Sequence, residues 1–279
     1  MIKFKQIFAI AAVTVLVIAL YSLDIKGLVK PKGDRGLATS NQQATANVNG
    51  STVSVSAKQM LNANLVNQIS TLENEVKVAS NANKLGLLKS LAQKWDDVNQ
   101  PAPAAFVLEE VALAENNYDN WLSAGNHFAT AYLNYKDSTV ISTLVAKAIN
   151  AFSKALETNS QSLDAKSGLG VAYVTEGKNP MQGIQLLLSV VKTDPKNLNA
   201  NMNLGLFSMK SGQFDKAVNR FKTVIEVKES PEAYFYLGTT YENLGAKQDA
   251  IIAYTKSKEL AADPGLAKFV DKKIKELNK

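Results

Sequence analysis

The chain has 279 residues, of which 46% are hydrophobic and 20% are charged, and its formal net charge is +6. This composition provides enough apolar surface for a buried core and differs from that of a disordered chain. Because there is no cysteine, disulfides, thiolate nucleophiles and cysteine-based metal sites are excluded. The only histidine is His127, which excludes a multi-histidine metal centre.

The positive charge is concentrated at the two ends of the chain. Residues 1–35 contain six Lys or Arg against two Asp, and residues 265–279 contain five Lys against one Asp and one Glu. The residues between them are nearly neutral overall, so no basic stripe is available to form a nucleic-acid recognition face. We therefore expect no nucleic-acid partner.

Residues 1–35 are predicted to form a membrane anchor with basic flanks. The segment from Gln6 to Leu23 carries no charge, and as a helix it would extend about 27 Å, near the lower limit for crossing a bilayer. A cleaved signal peptide needs small residues at its exit, where bulky Leu20 and Tyr21 stand instead. The sequence favours an uncleaved single-pass anchor in a bacterial inner membrane with the soluble domain in the periplasm. The basic residues that follow the segment leave a cytoplasmic soluble domain as the alternative.

The segment between the anchor and the repeats divides into a linker and a helix. Residues 36–56 are small, polar and aperiodic, and are predicted to be a flexible linker. The triplet beginning at Asn49 has the form of a glycosylation site, but a match this short is expected by chance. Residues 57–84 are predicted to be an N-terminal helix that packs on or extends the array, and a homodimer through a coiled coil of residues 57–80 is the alternative. The apolar residues of this helix recur every three or four positions: Leu61, Leu65, Ile69, Leu72 and Val76.

Three classes of residue recur along the body of the chain at a spacing of about 34 residues. Leucine–glycine pairs lie at 169–170, 204–205 and 237–238, and a second glycine follows each pair at one fixed offset. A small residue then precedes a large one by four positions. The second glycines are Gly177, Gly212 and Gly245, and the small–large pairs are Gly183/Leu187, Ala217/Phe221 and Ala250/Tyr254.

Each class has a physical role in a hairpin of two helices. The glycine of a leucine–glycine pair lets the neighbouring helix approach closely, and the second glycine ends the first helix with a positive φ. The small residue faces the first helix and the large one fills the interface. One such hairpin cannot bury its apolar face alone, so copies are expected to stack into a solenoid.

This pattern resembles the tetratricopeptide repeat family, whose units contain W-x-x-L-G-x-x-Y, a glycine, A-x-x-x-F-x-x-A and a proline. The resemblance implies an all-α solenoid of about five helix-turn-helix repeats over residues 85–264. The predicted N-terminal transmembrane helix precedes this array, and the polar residues 265–279 are expected to form its C-terminal capping helix. About eleven extra residues in the second unit are expected to lengthen a helix or form an edge loop. The units are 163–197, 198–230 and 231–264, preceded by two degenerate units at 85–117 and 118–162.

No catalytic, cofactor-binding or metal-binding residue is expected. His127 is assigned to a structural or surface role, because the sequence shows no carboxylate or nucleophile beside it. Glu109 and Glu110 are adjacent on a predicted helix and do not face one another, so a solvated face is expected. We therefore expect that the chain is not an enzyme.

The resemblance implies that the first helix of each unit lines a concave face that binds a protein or peptide. Among these positions, Met202, Leu206, Met209 and Phe235 would form an apolar strip suited to a peptide or helix. The alternative is that neighbouring helices cover part of this strip. By family position the face comprises Leu122, Asn126, Val171, Val174, Asn199, Met202, Leu206, Met209, Lys210, Phe235, Thr239 and Glu242.

These inferences favour a membrane-anchored adaptor or scaffold that binds envelope partners without catalysis. One family subtype grips a partner's C-terminal carboxylate, but Leu122 stands where its first lysine is needed, so chaperone-tail binding is not expected. Two alternatives remain. The first is a self-assembling, homo-oligomeric envelope component, and the second is a non-catalytic subunit of an envelope enzyme complex.

Overall fold

The structure is a computed structural model that describes residues 48–278, which form thirteen α-helices and no strand. None of these helices is both long enough and apolar enough to cross a membrane. The anchor predicted over residues 6–23 lies outside the described residues. In chain order the helices are α1 (Gly50–Lys58), α2 (Ala63–Val78), α3 (Asn81–Asp97), α4 (Pro101–Ala114), α5 (Tyr118–Tyr132), α6 (Ser138–Thr158), α7 (Leu163–Glu176), α8 (Pro180–Thr193), α9 (Leu198–Lys210), α10 (Phe214–Val227), α11 (Pro231–Asn243), α12 (Lys247–Leu260) and α13 (Pro264–Leu277).

Helices α3 to α12 form five consecutive pairs, and each pair packs on the next. The buried side chains form a series of clusters along the array, each made by residues of neighbouring helices. In one of them Phe152 of α6 packs with Leu169 of α7, which belongs to the following pair. Stacked pairs of this kind confirm the predicted all-α solenoid over the described residues.

The second glycine of each unit ends its first helix as predicted. Gly177, Gly212 and Gly245 have φ values of 78°, 74° and 74°, in the left-handed region that favours glycine. Gly177 follows the last residue of α7 directly, and its N–H donates to the carbonyl oxygen of Tyr173. Glycine adopts this conformation without the strain that a Cβ atom adds, which favours a tight turn to the second helix.

The small and large residues of the repeats meet between the paired helices. A Cβ atom added to Gly205 would lie 2.6 Å from the ring of Phe221, and one added to Gly238 would lie 2.7 Å from the ring of Tyr254. In the α7–α8 pair two glycines face each other instead, since a Cβ on Gly170 would lie 2.9 Å from the carbonyl oxygen of Gly183. The backbones of α7 and α8 are thus in direct contact.

The predicted linker over residues 36–56 is wrong at its C-terminal end, where α1 begins. Asn49 caps this helix: its side chain accepts from the N–H of Thr52 at 3.0 Å, and the Thr52 hydroxyl accepts from the N–H of Asn49 at 3.0 Å. This reciprocal capping box satisfies two backbone donors that would otherwise lack partners. The triplet at Asn49 is therefore the start of a helix.

The apolar residues of α2 pack inside the same chain, although the single helix predicted over residues 57–84 is wrong, since α1 ends at Lys58 and α3 begins at Asn81. Ile69 is fully buried and Val76 is nearly so, in a cluster with Leu88 and Trp95 of α3. Lys58 of α1 pairs with Glu73 of α2, which ties the two N-terminal helices together. A homodimer formed through residues 57–80 would have to expose this cluster, so the structure favours the interpretation that the helix packs on the first repeat.

The extra residues of the 118–162 unit lengthen α6, which runs for 21 residues. At the other end of the array α13 packs on α12 and buries Val270 against Tyr254. Its exposed side carries several lysines, as a terminal helix with one solvated face requires.

Candidate functional site

The predicted first-helix face is only partly open to solvent. Three of its twelve residues are exposed, namely Asn126, Asn199 and Lys210, and the others are half-buried. Leu122 packs against two core clusters, and Val171 packs against the cluster that contains Leu187. Direct contact of these side chains with a partner remains a prediction.

The apolar strip on α9 packs largely within the chain. Met202, Leu206 and Met209 lie against a cluster that contains Phe221 of α10 and Leu237 of α11. The hydroxyl of Thr240 on α11 also lies 3.5 Å from the sulfur of Met209. The following helix pair therefore covers part of this strip, which is the alternative that the sequence left open.

The capping helix α13 engages the C-terminal end of the predicted face. The rings of Phe235 and Phe269 lie 5.8 Å apart, and Lys273 donates to Glu242 at 2.9 Å. Glu242 also accepts from the hydroxyl of Tyr254 at 2.7 Å, which in turn lies 3.1 Å from the hydroxyl of Thr239. Phe235, Thr239 and Glu242 therefore have partners within the chain, and their contact with a bound protein remains a prediction.

Glu242 is held in its ionised form by these contacts. Burial raises the pKa of this carboxyl, but the hydrogen bonds from Tyr254 and Lys273 and the positive charge of Lys273 together lower it by more. The net pKa of Glu242 therefore lies below its ordinary value. Burial, followed by the bond to Glu242, raises the pKa of the Tyr254 hydroxyl well above its ordinary range.

His127 joins two repeat units. Its Nε2 lies 3.1 Å from a carboxylate oxygen of Asp96 on α3, and its Nδ1 lies 2.7 Å from the carbonyl oxygen of Ser123. Both ring nitrogens are thus engaged by groups of this chain, one of which is a carboxylate that the sequence did not reveal. The arrangement favours the structural role expected from the sequence.

The carboxylate of Glu109 does not lie on a solvated face. It pairs with Lys147 of α6 at 2.7 Å and is mostly shielded from solvent, whereas Glu110 is exposed. Among the described residues, no group of three or more acidic, histidine or cysteine side chains could hold a metal ion. The expectation of a solvated pair is therefore wrong for Glu109.

A large open cavity lies between α8 and α10, with α9 as its floor. We call it the α8–α10 groove, and its volume is about 740 Å³. Of the predicted site residues, only Val174 and Lys210 line it. Its lining residues are Val174, Pro180, Met181, Ile184, Leu188, Leu204, Phe207, Ser208, Lys210, Ser211, Gln213, Lys216, Asn219, Arg220 and Thr223.

One wall of the groove is apolar and partly exposed. Met181 and Leu188 of α8 keep 66% and 43% of their surface accessible, although both are large hydrophobic residues. Ile184 and Phe207 lie half-buried beside them. Exposed apolar side chains gathered in one concave site are typical of a binding surface.

The other wall is basic. Lys210, Lys216 and Arg220 line the groove, and no acidic residue does. None of the three cations has a carboxylate oxygen within 4.0 Å among the described residues. The groove therefore presents unneutralised positive charge next to an apolar surface.

Arg220 is fixed by a buried amide. Its guanidinium donates to Oδ1 of Asn201 at 2.9 Å, while Nδ2 of Asn201 donates to the carbonyl oxygens of Pro195 and Asn197 at 2.9 Å each. Asn201 is fully buried and fully hydrogen-bonded, so its orientation is set by the backbone. Burial lowers the pKa of Arg220, but arginine starts from so high a value that it stays charged at neutral pH.

Sequence reasoning missed this groove because it transferred the family's first-helix positions. The signal was present in the second helices. In the second helix of the 163–197 unit, Met181 lies two positions before the small residue Gly183, and Leu188 lies five positions after it. The 198–230 unit has Asp215 and Lys222 at the same two positions.

Comparison with known proteins places residues 208–267 in the tetratricopeptide repeat family, whose model matches them. No curated protein sequence matches the chain. Among solved structures, the thermophilic TPR protein TTC0263 from Thermus thermophilus is 16% identical, with a TM-score of 0.54, over 67% of this chain and 97% of its own. The fragment of MamA that runs from residue 41 to the end, from Desulfovibrio magneticus, is 20% identical over 64% of this chain and 95% of its own, with a TM-score of 0.49. YrrB, a TPR protein with an unusual peptide-binding site, is 19% identical over 72% of this chain and 97% of its own, with a TM-score of 0.45.

The likeness to TTC0263 concerns the fold, since the identity is low. The direct family match covers the end of α9 through the start of α13. The helix pairs that precede it are built in the same way, with a glycine turn at Gly177 and a fully buried Phe152 that fills the space beside Gly125. Residues 208–267 therefore belong to the tetratricopeptide repeat family by direct match, and the helix pairs that precede them share its fold.

Proposed function

We propose that this protein is a non-catalytic adaptor that binds a protein partner through its repeat array. The observation that carries the proposal is the α8–α10 groove, an open cavity of about 740 Å³ lined by exposed apolar and unpaired basic side chains. Large side chains such as Phe152, Leu187 and Phe221 are fully buried and maintain the stacking, whereas Met181 and Leu188 are exposed beside basic residues. Stacking of the repeats does not require the exposed apolar and basic side chains of the groove.

We also propose that residues 6–23 anchor the array to a bacterial inner membrane, with the soluble domain in the periplasm. Support comes from the uncharged, apolar run itself and its basic flanks. An anchor confines the array to the membrane surface and so raises its effective concentration for partners held there. A modest affinity for the partner would then be sufficient.

Site-specific photocrosslinking tests the binding role. A photoreactive residue at Leu188 should form adducts with another polypeptide in intact cells, since this side chain is exposed in the groove. The matched control is Thr255, which stands at the equivalent exposed position of α12 and is polar. Adducts at neither position, or equally at both, would refute a binding role for the groove.

The first-helix strip is tested in the same cells. If a partner contacts Met202 and Leu206, replacing each by glutamate should abolish the adducts formed from a photoreactive residue at Asn199, the exposed neighbour on α9. If those adducts persist, or never form, partners do not use this strip. Adducts at Leu188 would be unaffected in either case.

Membrane attachment and orientation need a separate measurement. The full chain should remain in the membrane pellet after alkaline carbonate extraction, and a variant lacking residues 1–35 should not. Protease added to spheroplasts should degrade the repeat array if it lies in the periplasm. Protection of the array would support the cytoplasmic alternative instead.

A further inference from the structure

We propose that the α8–α10 groove binds an acidic peptide segment that carries bulky apolar side chains. This inference rests on the proposed adaptor function and names the chemistry of its partner. Apolar side chains of the segment would contact Met181 and Leu188, and its carboxylates would face Lys210, Lys216 and Arg220.

The apolar wall is specific to one repeat. At the register of Met181 the next two units have Asp215 and Gln248, and at the register of Leu188 they have Lys222 and Thr255. Those four positions are polar and exposed, as expected for the outer side of a second helix. Stacking the repeats therefore does not require an apolar residue at either position. A ligand that covers Met181 and Leu188 would explain why these two large apolar side chains are exposed.

The basic wall determines the charge of that ligand. Three cations surround the groove without a carboxylate within 4.0 Å, and Lys216 instead donates to the side-chain oxygen of Gln213 at 2.7 Å. A segment that brings carboxylates would be attracted, and a basic segment would be repelled. The chain does not supply such a segment from its own N-terminal residues 1–47, which contain only two acidic residues, Asp24 and Asp34.

Arg220 is preorganised for this contact. The position of Asn201 is occupied by Trp121 in the 118–162 unit, by Lys166 in the 163–197 unit and by Tyr234 in the 231–264 unit. Among these units only the 198–230 unit has an amide here. Asn201 holds one edge of the guanidinium at 2.9 Å and has no remaining amide hydrogen. A guanidinium that is already oriented loses little side-chain entropy when it binds a carboxylate.

The apolar wall also favours a peptide over a nucleic acid as the ligand. Bases bind single-strand sites by stacking on aromatic rings, and the groove has one aromatic lining residue, the half-buried Phe207. Flexible Met181 and Leu188 side chains instead adapt to the aliphatic side chains of a peptide. The cavity volume of about 740 Å³ lies within the range of ligand sites, which is roughly 300–1,000 Å³.

The test is a titration of the full-length protein, in non-ionic detergent, with a short fluorescein-labelled peptide in which leucines at helical spacing alternate with glutamates. Fluorescence anisotropy should show binding that weakens as salt is raised. A peptide with glutamine for glutamate should bind at least tenfold more weakly, and so should one with alanine for leucine. If either binds as tightly as the parent peptide, the proposed chemistry is wrong.

Two pairs of variants locate the binding. Met181→Glu should weaken it more than tenfold, because it removes an apolar contact and adds a repelling charge, whereas Gln248→Glu adds the same charge at the equivalent position of α12. Arg220→Gln should weaken it about fivefold to tenfold, since the guanidinium is half-buried. Its control is Lys247→Gln, which removes one exposed charge from α12. Equal effects of a variant and its control would place the peptide outside the groove.

Titration with a single-stranded oligothymidine in the same assay tests whether the groove binds a nucleic acid instead of an acidic peptide. Oligothymidine binding tighter than that of the peptide, and lost in Arg220→Gln, would overturn the inference in favour of a nucleic acid. The fate of the adaptor proposal is read separately from the crosslinks at Leu188. Crosslinks to a polypeptide without peptide binding would leave the adaptor function standing and reject only the acidic, apolar chemistry.

Discussion

Replacing Gly183 by alanine is expected to destabilise the α7–α8 pair. The new Cβ would lie closer than 3.0 Å to the carbonyl oxygen of Gly170 and 2.8 Å from a methyl carbon of Val174. The first obstacle is backbone, which cannot turn away as a side chain can. The two helices would therefore have to separate.

The magnitude follows from two opposing effects. Overpacking costs about 1–3 kcal/mol, and the upper part of that range applies here because the obstacle is a backbone carbonyl. Alanine in place of glycine stabilises a helix interior by about 1 kcal/mol. The free energy of unfolding should therefore fall by roughly 1–2 kcal/mol.

Gly86 provides the matched control. It lies inside α3, and a Cβ added there would have no atom within 4 Å. Gly86→Ala should stabilise the protein by about 1 kcal/mol through helix propensity alone. Since that gain is common to both variants, the difference between them isolates the packing penalty, about 2–3 kcal/mol.

Thermal unfolding followed by circular dichroism measures this difference. At roughly 2–4 °C per kcal/mol for a chain of this size, Gly183→Ala should melt about 4–12 °C below Gly86→Ala. Equal melting temperatures for the two variants would show that α7 and α8 do not need backbone contact. Hydrogen exchange in α7 and α8 should also be faster in Gly183→Ala, because the separation is local.

Two further outcomes are expected from the turns and the capping helix. Gly177→Ala should lower the free energy of unfolding, measured by urea denaturation, by about 1 kcal/mol, because φ is 78° at this position. Gly177→Asn should lower it less, and an equal effect of the two variants would argue against strain from the left-handed backbone conformation. The pKa of Glu242 is lowered in the folded protein, so its pairing with Lys273 stabilises the protein above the ordinary pKa of 4.5 and this stabilisation is lost as the pH falls through the lower folded value. Melting temperatures across this pH range should fall more steeply for the wild type than for Glu242→Gln, and parallel curves would contradict the assignment.

The sequence allowed the scaffold to be predicted because each scaffold residue acts through local physics. A glycine that must take a positive φ, as Gly212 does, has this requirement wherever the neighbouring repeats lie. The Gly205 and Phe221 contact is likewise contained in one hairpin, and its spacing can be found in a single repeat. Repetition then makes the pattern visible above chance.

The candidate site was not predictable in the same way. Whether Met209 is open depends on how closely α11 approaches α9, and no residue of α9 alone determines that distance. The helix at α1 was missed for a different reason, since its signal is local: Asn49 is followed three positions later by Thr52. The small polar residues around them resemble a linker, and a capping box outweighs that composition only when the helix has a surface to pack on.

In a repeat array the positions that all units share maintain the stacking, so a function particular to this protein should involve positions at which one unit departs from the others. Gly183 stands where two later units have alanine, and Leu188 stands where they have polar residues. Asn201 stands where the 118–162 and 231–264 units have an aromatic ring. These departures lie in two successive units and act on one cavity. The contact of Gly183 with Gly170 holds α8 against α7, and α8 packs less extensively on α9 than α10 does on α11. Leu188 is exposed on the outer side of α8, as the equivalent residues of α10 and α12 are, and Asn201 orients Arg220 from the floor of the groove.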